Sequence, residues 1–163
     1  MNDEWCTPIP LYQEITEVFR FGTDVAATAE NALCEQFFTR ENSAFDHHWR
    51  GTCWMNPPYG RGQLERWTEK AVTETRQRGC TIVGLLPAVT DTAFWHDYVV
   101  QAQEIIFLRG RVHFDGPQVG APTFGSALVI WRPIHSLSPR QRVHWWDWRY
   151  DSLRVLIHEP PGE

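Results

Sequence analysis

Hydrophobic positions along the chain fall into short clusters that switch between two periods. After Thr7-Pro8, the residues Leu11, Ile15, Val18 and Phe19 keep helical spacing, which predicts a helix with Thr7 as N-cap and Pro8 at its first position. Phe21 to Ala27 reads as a strand running into a tight turn of small residues, 28–40 as irregular or briefly helical, and 45–49 as a short turn. Gly51-Thr52-Cys53-Trp54-Met55 predicts a second, buried strand that stops at the prolines after it. Leu64, Trp67, Ala71 and Val72 give helical spacing over 62–78, with Gly79 as its stop. Thr81 to Leu86 is a continuous apolar run of the kind found in buried parallel strands. A helix over 93–100 and strands over 104–108 and 127–131 follow. The arginine- and tryptophan-rich stretch 137–150 reads as helical, Leu153–Ile157 as a late strand, and 159–163 as a frayed tail. Strands alternating with helices predict an α/β fold with a mostly parallel sheet. Ligands of such sheets bind beyond the carboxyl ends of the strands. Asp24-Val25-Ala26-Ala27, Asn56-Pro57-Pro58-Tyr59 and Pro87 to Asp91 all fall at that end, so one rim collects three unusual segments.

Composition narrows the class. The 163 residues suit one domain over 1–158 with a full core, and 42% hydrophobic content is ordinary for a globular protein. Nine tryptophans imply large aromatic surfaces in the core or against a flat ligand. No run approaches the roughly 18–20 apolar residues of a membrane span, and the acidic start Met1-Asn2-Asp3-Glu4 is unlike a secretory signal, so a cytoplasmic protein with no membrane partner is expected. Cys6, Cys34, Cys53 and Cys80 lack metal spacing and read as free thiols in a reducing compartment. His47-His48 are adjacent and have no acidic or cysteine partner at useful spacing, so no metal is expected. The net charge of −5 is uneven, with −7 over residues 1–49 and +2 over 50–163. Fourteen of the fifteen basic residues are arginine, the side chain that best forks onto phosphate and guanine edges. This pattern fits a protein that turns one face to DNA, and also many that never touch it.

Asn56-Pro57-Pro58-Tyr59 carries the chemistry. A strand that halts at Asn-Pro-Pro-aromatic gathers an amide oxygen, a proline-locked carbonyl and a ring around one small volume. Two adjacent acceptors hold a planar amino group while the ring stacks on the plane bearing it, which makes a receptor for an exocyclic amine on a flat heteroaromatic. The alternative is a Pro-Pro turn whose tyrosine packs locally.

In order along the chain, Asp3-Glu4-Trp5-Cys6-Thr7-Pro8, Phe21-Gly22-Thr23-Asp24-Val25-Ala26-Ala27, Asn31-Ala32, Trp54 to Gly60, Trp67, Lys70-Ala71, Leu86-Pro87-Ala88, Gly110-Arg111 and Ala121-Pro122 resemble the phage and prophage DNA N6-adenine methyltransferases (Dam-like) over about residues 3–131. The resemblance implies a Rossmann-like methyltransferase fold with helices on both faces of the sheet, S-adenosyl-L-methionine as cofactor and DNA as partner. It implies that Trp5, Thr7 and Pro8 close over the cofactor, that Asp24, Ala26 and Ala27 form its turn, and that Asn56, Pro57, Pro58 and Tyr59 are catalytic. Two departures stand out. Alanines replace the glycine-rich turn common in the wider class, and Ser43-Ala44-Phe45 replaces the usual residues ahead of Trp49, at the expected adenosine contact.

The remaining assignments have two readings each. Asp24 either meets the ammonium or ribose end of the cofactor or caps its strand. Arg109 and Arg111, flanking Gly110, contact phosphate or form a surface turn; Arg61, beside the catalytic motif, joins them as a nucleic-acid candidate. In Trp145-Trp146-Asp147-Trp148, Trp146 is the expected base-stacking residue, with a covered core edge or a homodimer interface as the alternative. Little chain remains for a target-recognition domain, so a short or relaxed target sequence is expected. Transfer to an RNA base amine or a protein glutamine keeps the same fold; a catalytically silent DNA- or cofactor-binding module is the alternative of another class.

Overall fold

The structure is a computed structural model, and it describes residues 5–116, 122–133 and 141–157. Helix α1 (Ile9–Thr16) turns Leu11 and Ile15 inward. Thr7 is not its cap: Pro8 takes the N-cap position, no side chain caps the helix, and a proline occupies its first turn. Strand β1 (Thr23–Asp24) is short, and the segment expected to be irregular contributes β2 (Gln36–Phe37), a two-residue strand at the edge of the sheet. A single 3₁₀ turn, Ala44–Asp46, precedes β3 (Thr52–Met55). Helix α2 (Gln63–Arg78) buries Leu64, Trp67, Ala71 and Val72 and ends at Gly79, whose φ of 71° only glycine adopts without cost.

Strand β4 (Thr81–Pro87) is the buried centre of the sheet. The helix expected over 93–100 divides into α3 (Ala93–Asp97) and a 3₁₀ turn, Val99–Gln101. Strands β5 (Glu104–Leu108) and β6 (Ser126–Trp131) follow as expected. The C-terminal assignments are reversed. Arg142–Trp146 is strand β7, and Leu153–Ile157 is helix α4. In β7 the side chains alternate, with Val143 and Trp145 outside and Trp146 in the core, which is the period of a strand. In α4 the buried residues Leu153 and Ile157 lie four apart, which is the period of a helix. The tail expected to fray, and residues 137–140 of the stretch expected to be helical, lie outside the described residues.

The seven strands form one sheet in the order β2-β1-β3-β4-β6-β5-β7. Strand β6 runs antiparallel to both its neighbours and every other pairing is parallel, so the fold is α/β with a mostly parallel sheet. Each face has its own core. One gathers Trp49, Trp67, Phe94, Trp95 and Trp131 beside Met55; the other gathers Leu11, Ile15, Trp54, Trp146 and Leu153. Near the start of β5, the buried Glu104 carboxylate faces Arg132 at 3.1 Å, Arg142 at 3.3 Å and His144 at 3.3 Å. The two arginine contacts are ion pairs without aligned hydrogen bonds, so charge holds the arginines to Glu104. Because β1, β3 and β4 are mutually parallel, Asp24, Asn56 and Pro87 reach the same rim.

Candidate active site

Strand β3 delivers Asn56 at the rim, half-buried. Its amide nitrogen donates to the Trp5 carbonyl and to Thr7 Oγ1 at 2.9 Å. The Trp5 carbonyl can only accept, which fixes which end of the amide is which. The other end, Oδ1, accepts from the Tyr59 hydroxyl at 3.0 Å, and that hydroxyl also lies 2.7 Å from the Leu85 carbonyl of β4. A carbonyl oxygen accepts two hydrogen bonds, so Oδ1 retains capacity for a second donor. Burial holds the Tyr59 phenol well above the usual tyrosine range, which keeps it a neutral donor.

Aromatic rings surround Tyr59. Trp5 lies nearly parallel to it, 26° apart in plane with centroids 6.5 Å apart. Phe114 and Phe124 meet it edge-on at 6.1 Å and 5.6 Å, and both also meet Trp5 edge-on. The N-terminal segment is pinned across this box: Cys6 and Asp115 exchange backbone hydrogen bonds of 3.1 Å and 2.9 Å. Phe114 and Phe124 carry no motif of their own. Their only sequence signal is position, in the connection after β5 that returns toward the rim.

Beside Asn56 opens a cavity of about 720 Å³, within the range of about 300–1,000 Å³ typical of small-molecule sites. Trp5, Thr7, Asp24, Ala26, Ala27, Asn56, Pro57 and Pro58 line it, so one space joins the expected cofactor turn to the expected catalytic motif. Pro8 and Tyr59 lie outside that lining. Asp24 is buried, and burial pushes its carboxyl up to about 6, although hydrogen bonds from the Leu33 and Ala26 amides pull the other way. Those two bonds tie the end of β1 to the loop before β2, so Asp24 caps its strand and faces the cavity at once. The far wall holds Phe45 and Trp67 edge-on at 4.6 Å, with the Arg66 guanidinium 3.9 Å over the Phe45 ring.

The expected nucleic-acid residues divide. Arg61, Arg109 and Arg111 are exposed. Arg109 faces Asp147 at 3.4 Å, and Arg149 donates to the carbonyls of Arg109 and Arg111. Trp146 does not join them: it is 1% exposed, packs in the core and donates its indole N–H to the Asp151 carbonyl. Strand alternation turns Trp145 outward instead, 76% exposed and stacked on Phe107 at 4.9 Å. His47 and His48 diverge, His47 to Asn42 and His48 to Glu74 and Arg78. All four cysteines are unbridged. No helix among the described residues is long and apolar enough to cross a membrane.

A family model described as DNA N-6-adenine-methyltransferase (Dam) matches residues 1–149. The chain belongs to this family. The DNA N-6-adenine-methyltransferase of Escherichia phage T1 is 31% identical over 118 residues, which cover 71% of this chain and 48% of the phage protein. The chain therefore spans about half the length of that relative. The protein YfdM of Escherichia coli (strain K12) is 31% identical over 67 residues, 36% of this chain and 74% of YfdM. The family match includes the whole rim, from Trp5 through Asn56 to the arginines around Gly110, and reaches Arg149.

Proposed function

We propose that this Dam-family chain transfers a methyl group from S-adenosyl-L-methionine to the N6 amino group of adenine in DNA. The observation that carries the reading is the Asn56 amide. Asn56 lines a cofactor-sized cavity, its nitrogen is engaged by the N-terminal segment, and its oxygen has room for one more donor.

The cavity fits the cofactor on chemical grounds. Among the described residues the buried Asp24 carboxyl accepts from the Ala26 and Leu33 backbone amides and from no basic side chain, and a cationic ligand would compensate it. Asp24 would hold the ammonium or ribose end, Ala26 and Ala27 would allow the backbone to approach closely, and Phe45 with Trp67 would pack against the adenosine ring. The cofactor, when bound, supplies a methyl group on a positively charged sulfur, already an excellent leaving group. The sheet around the cavity agrees with a Rossmann-like methyltransferase fold.

Adenine's amino nitrogen is a weak nucleophile because its lone pair is delocalised into the ring. Asn56 Oδ1 and the Pro57 carbonyl accept its two N–H bonds, which favours a pyramidal nitrogen and stabilises the positive charge that develops on it. Tyr59 and its aromatic neighbours hold the base flat and aim the nitrogen. No strong base is required, because the nitrogen becomes acidic as it is alkylated and its extra proton passes to water. A base within a duplex must first be flipped out, at a cost of a few kcal/mol. Arg61, Arg109 and Arg111 supply phosphate contacts at the rim, and Trp145, not Trp146, offers an indole to nucleic acid.

The test is methyl transfer from labelled S-adenosylmethionine to DNA, RNA and total protein offered separately. Label in DNA alone supports the reading. Label confined to RNA or protein assigns the fold to another amine, and cofactor binding without transfer to any of the three identifies a silent module.

A further inference from the structure

We infer that Thr7 is a positioning residue for Asn56, anchoring the catalytic amide so that its acceptor end stays toward the target amine. The inference rests on the methyltransferase reading above. An asparagine amide has a donor end and an acceptor end of nearly equal size, and a half-turn about its terminal bond exchanges them. Only the acceptor end receives an amine N–H; the donor end repels it. The catalytic motif alone does not choose between the two, because the Tyr59 hydroxyl has an alternative acceptor in the Leu85 carbonyl.

The N-terminal segment makes the choice. Asn56 Nδ2 donates to Thr7 Oγ1 at 2.9 Å and to the Trp5 carbonyl. A reversed amide would set its oxygen against the Trp5 carbonyl oxygen with no proton between them, so that carbonyl selects the end, and the Thr7 bond anchors the amide in the selected orientation. The Thr7 hydroxyl is free for this task because it does not cap the helix that follows it, where Pro8 takes the N-cap position without any side-chain bond. It serves instead a residue 49 positions away in sequence. Thr7 is 8% exposed, so water competes poorly for the bond. The backbone on which it sits is clamped by the paired Cys6 and Asp115 hydrogen bonds and by the Trp5 ring against Tyr59, Phe114 and Phe124. Thr7 also lines the cavity, so the competing role is direct contact with the cofactor.

Thr7→Val keeps the shape of the side chain and removes the acceptor; Thr7→Ser keeps the acceptor. We expect Thr7→Val to lower kcat tenfold or more, about 1.4 kcal/mol, while calorimetric affinity for S-adenosylmethionine stays within about twofold of wild type. Thr7→Ser should restore most of kcat. A Thr7→Val enzyme with wild-type kcat overturns the inference and leaves the methyltransferase reading standing. So does a variant whose loss lies in cofactor affinity and disappears at saturating cofactor. If Thr7→Val fails to melt cooperatively, Thr7→Ala against Thr7→Ser makes the same distinction without a buried methyl beside the amide nitrogen. A wild-type protein that binds cofactor and methylates no nucleic acid overturns the reading itself, and this inference with it.

Discussion

Tyr59 is asked to do two things, and they can be separated. Its ring belongs to the aromatic box of Trp5, Phe114 and Phe124, and its hydroxyl lies 3.0 Å from Asn56 Oδ1 and 2.7 Å from the Leu85 carbonyl. Tyr59→Phe removes one shared proton and keeps the ring. A net hydrogen bond of this kind is worth about 1 kcal/mol, so the melting temperature should fall by about 2–4 °C. The amide keeps its orientation through Nδ2, and kcat should fall by about three- to fivefold, within the same 1 kcal/mol. Tyr59→Ala removes the face on which the base would stack. Stacking is worth about 1–3 kcal/mol per base, so this variant should lose roughly 5- to 150-fold. Steady-state methyl transfer and thermal melts of both variants measure these effects. Because burial keeps the phenol neutral well above the usual range, the rate should show no tyrosine ionisation at ordinary pH. If Tyr59→Phe loses as much activity as Tyr59→Ala, the hydroxyl carries the function and the stacking argument is wrong.

Three further outcomes follow from the buried groups. The Asp24 carboxyl is raised to about 6, so its contribution to the stability of the free protein is greatest below the usual carboxylate range and is lost as pH rises through about 6. Cofactor affinity should move oppositely, falling by up to about tenfold per unit as pH drops below 6, with Asp24→Asn flattening the profile in calorimetric titrations. Glu104→Gln should lower unfolding free energy in urea by about 2–3 kcal/mol, since Arg132 and Arg142 lose a charged partner but are 40% and 41% exposed and recover some hydration. A change below about 0.5 kcal/mol would show that solvent already satisfies them. Gly84→Ala should cost about 1–2 kcal/mol, because its Cβ would sit 3.2 Å from both Met55 Cε and Trp131 Cζ3, and only the methionine end yields easily; an unchanged melting curve would refute this.

Much of the fold is legible in the sequence because long, strongly periodic segments declare themselves. The stripe through Leu64, Trp67 and Ala71, the Gly79 stop and the apolar run of β4 each admit one reading. The short C-terminal elements do not. Five residues such as Arg142–Trp146 or Leu153–Ile157 fit either period, and pairing with β5 decides the first while packing in the core with α1 decides the second. Trp146, expected to stack on bases, is the buried indole, since in a strand Trp145 and Trp146 must face opposite ways. At the site, Asn56 and Asp24 are visible as motif residues, whereas Phe114 and Phe124 reach the box only through tertiary closure. The sequence marks Thr7 as a helix cap and cofactor neighbour; its bond to Asn56 crosses 49 residues and leaves no local trace.

The central claim is that the amide at Asn56 presents adenine's amino group for methylation. Unmethylated DNA incubated with methyl-labelled S-adenosylmethionine and the protein, digested to nucleosides and resolved by mass spectrometry, tests it directly, with Asn56→Ala alongside. Labelled N6-methyladenine is expected from the wild type and none from the variant. Label on another base, or equal label from both proteins, would contradict it.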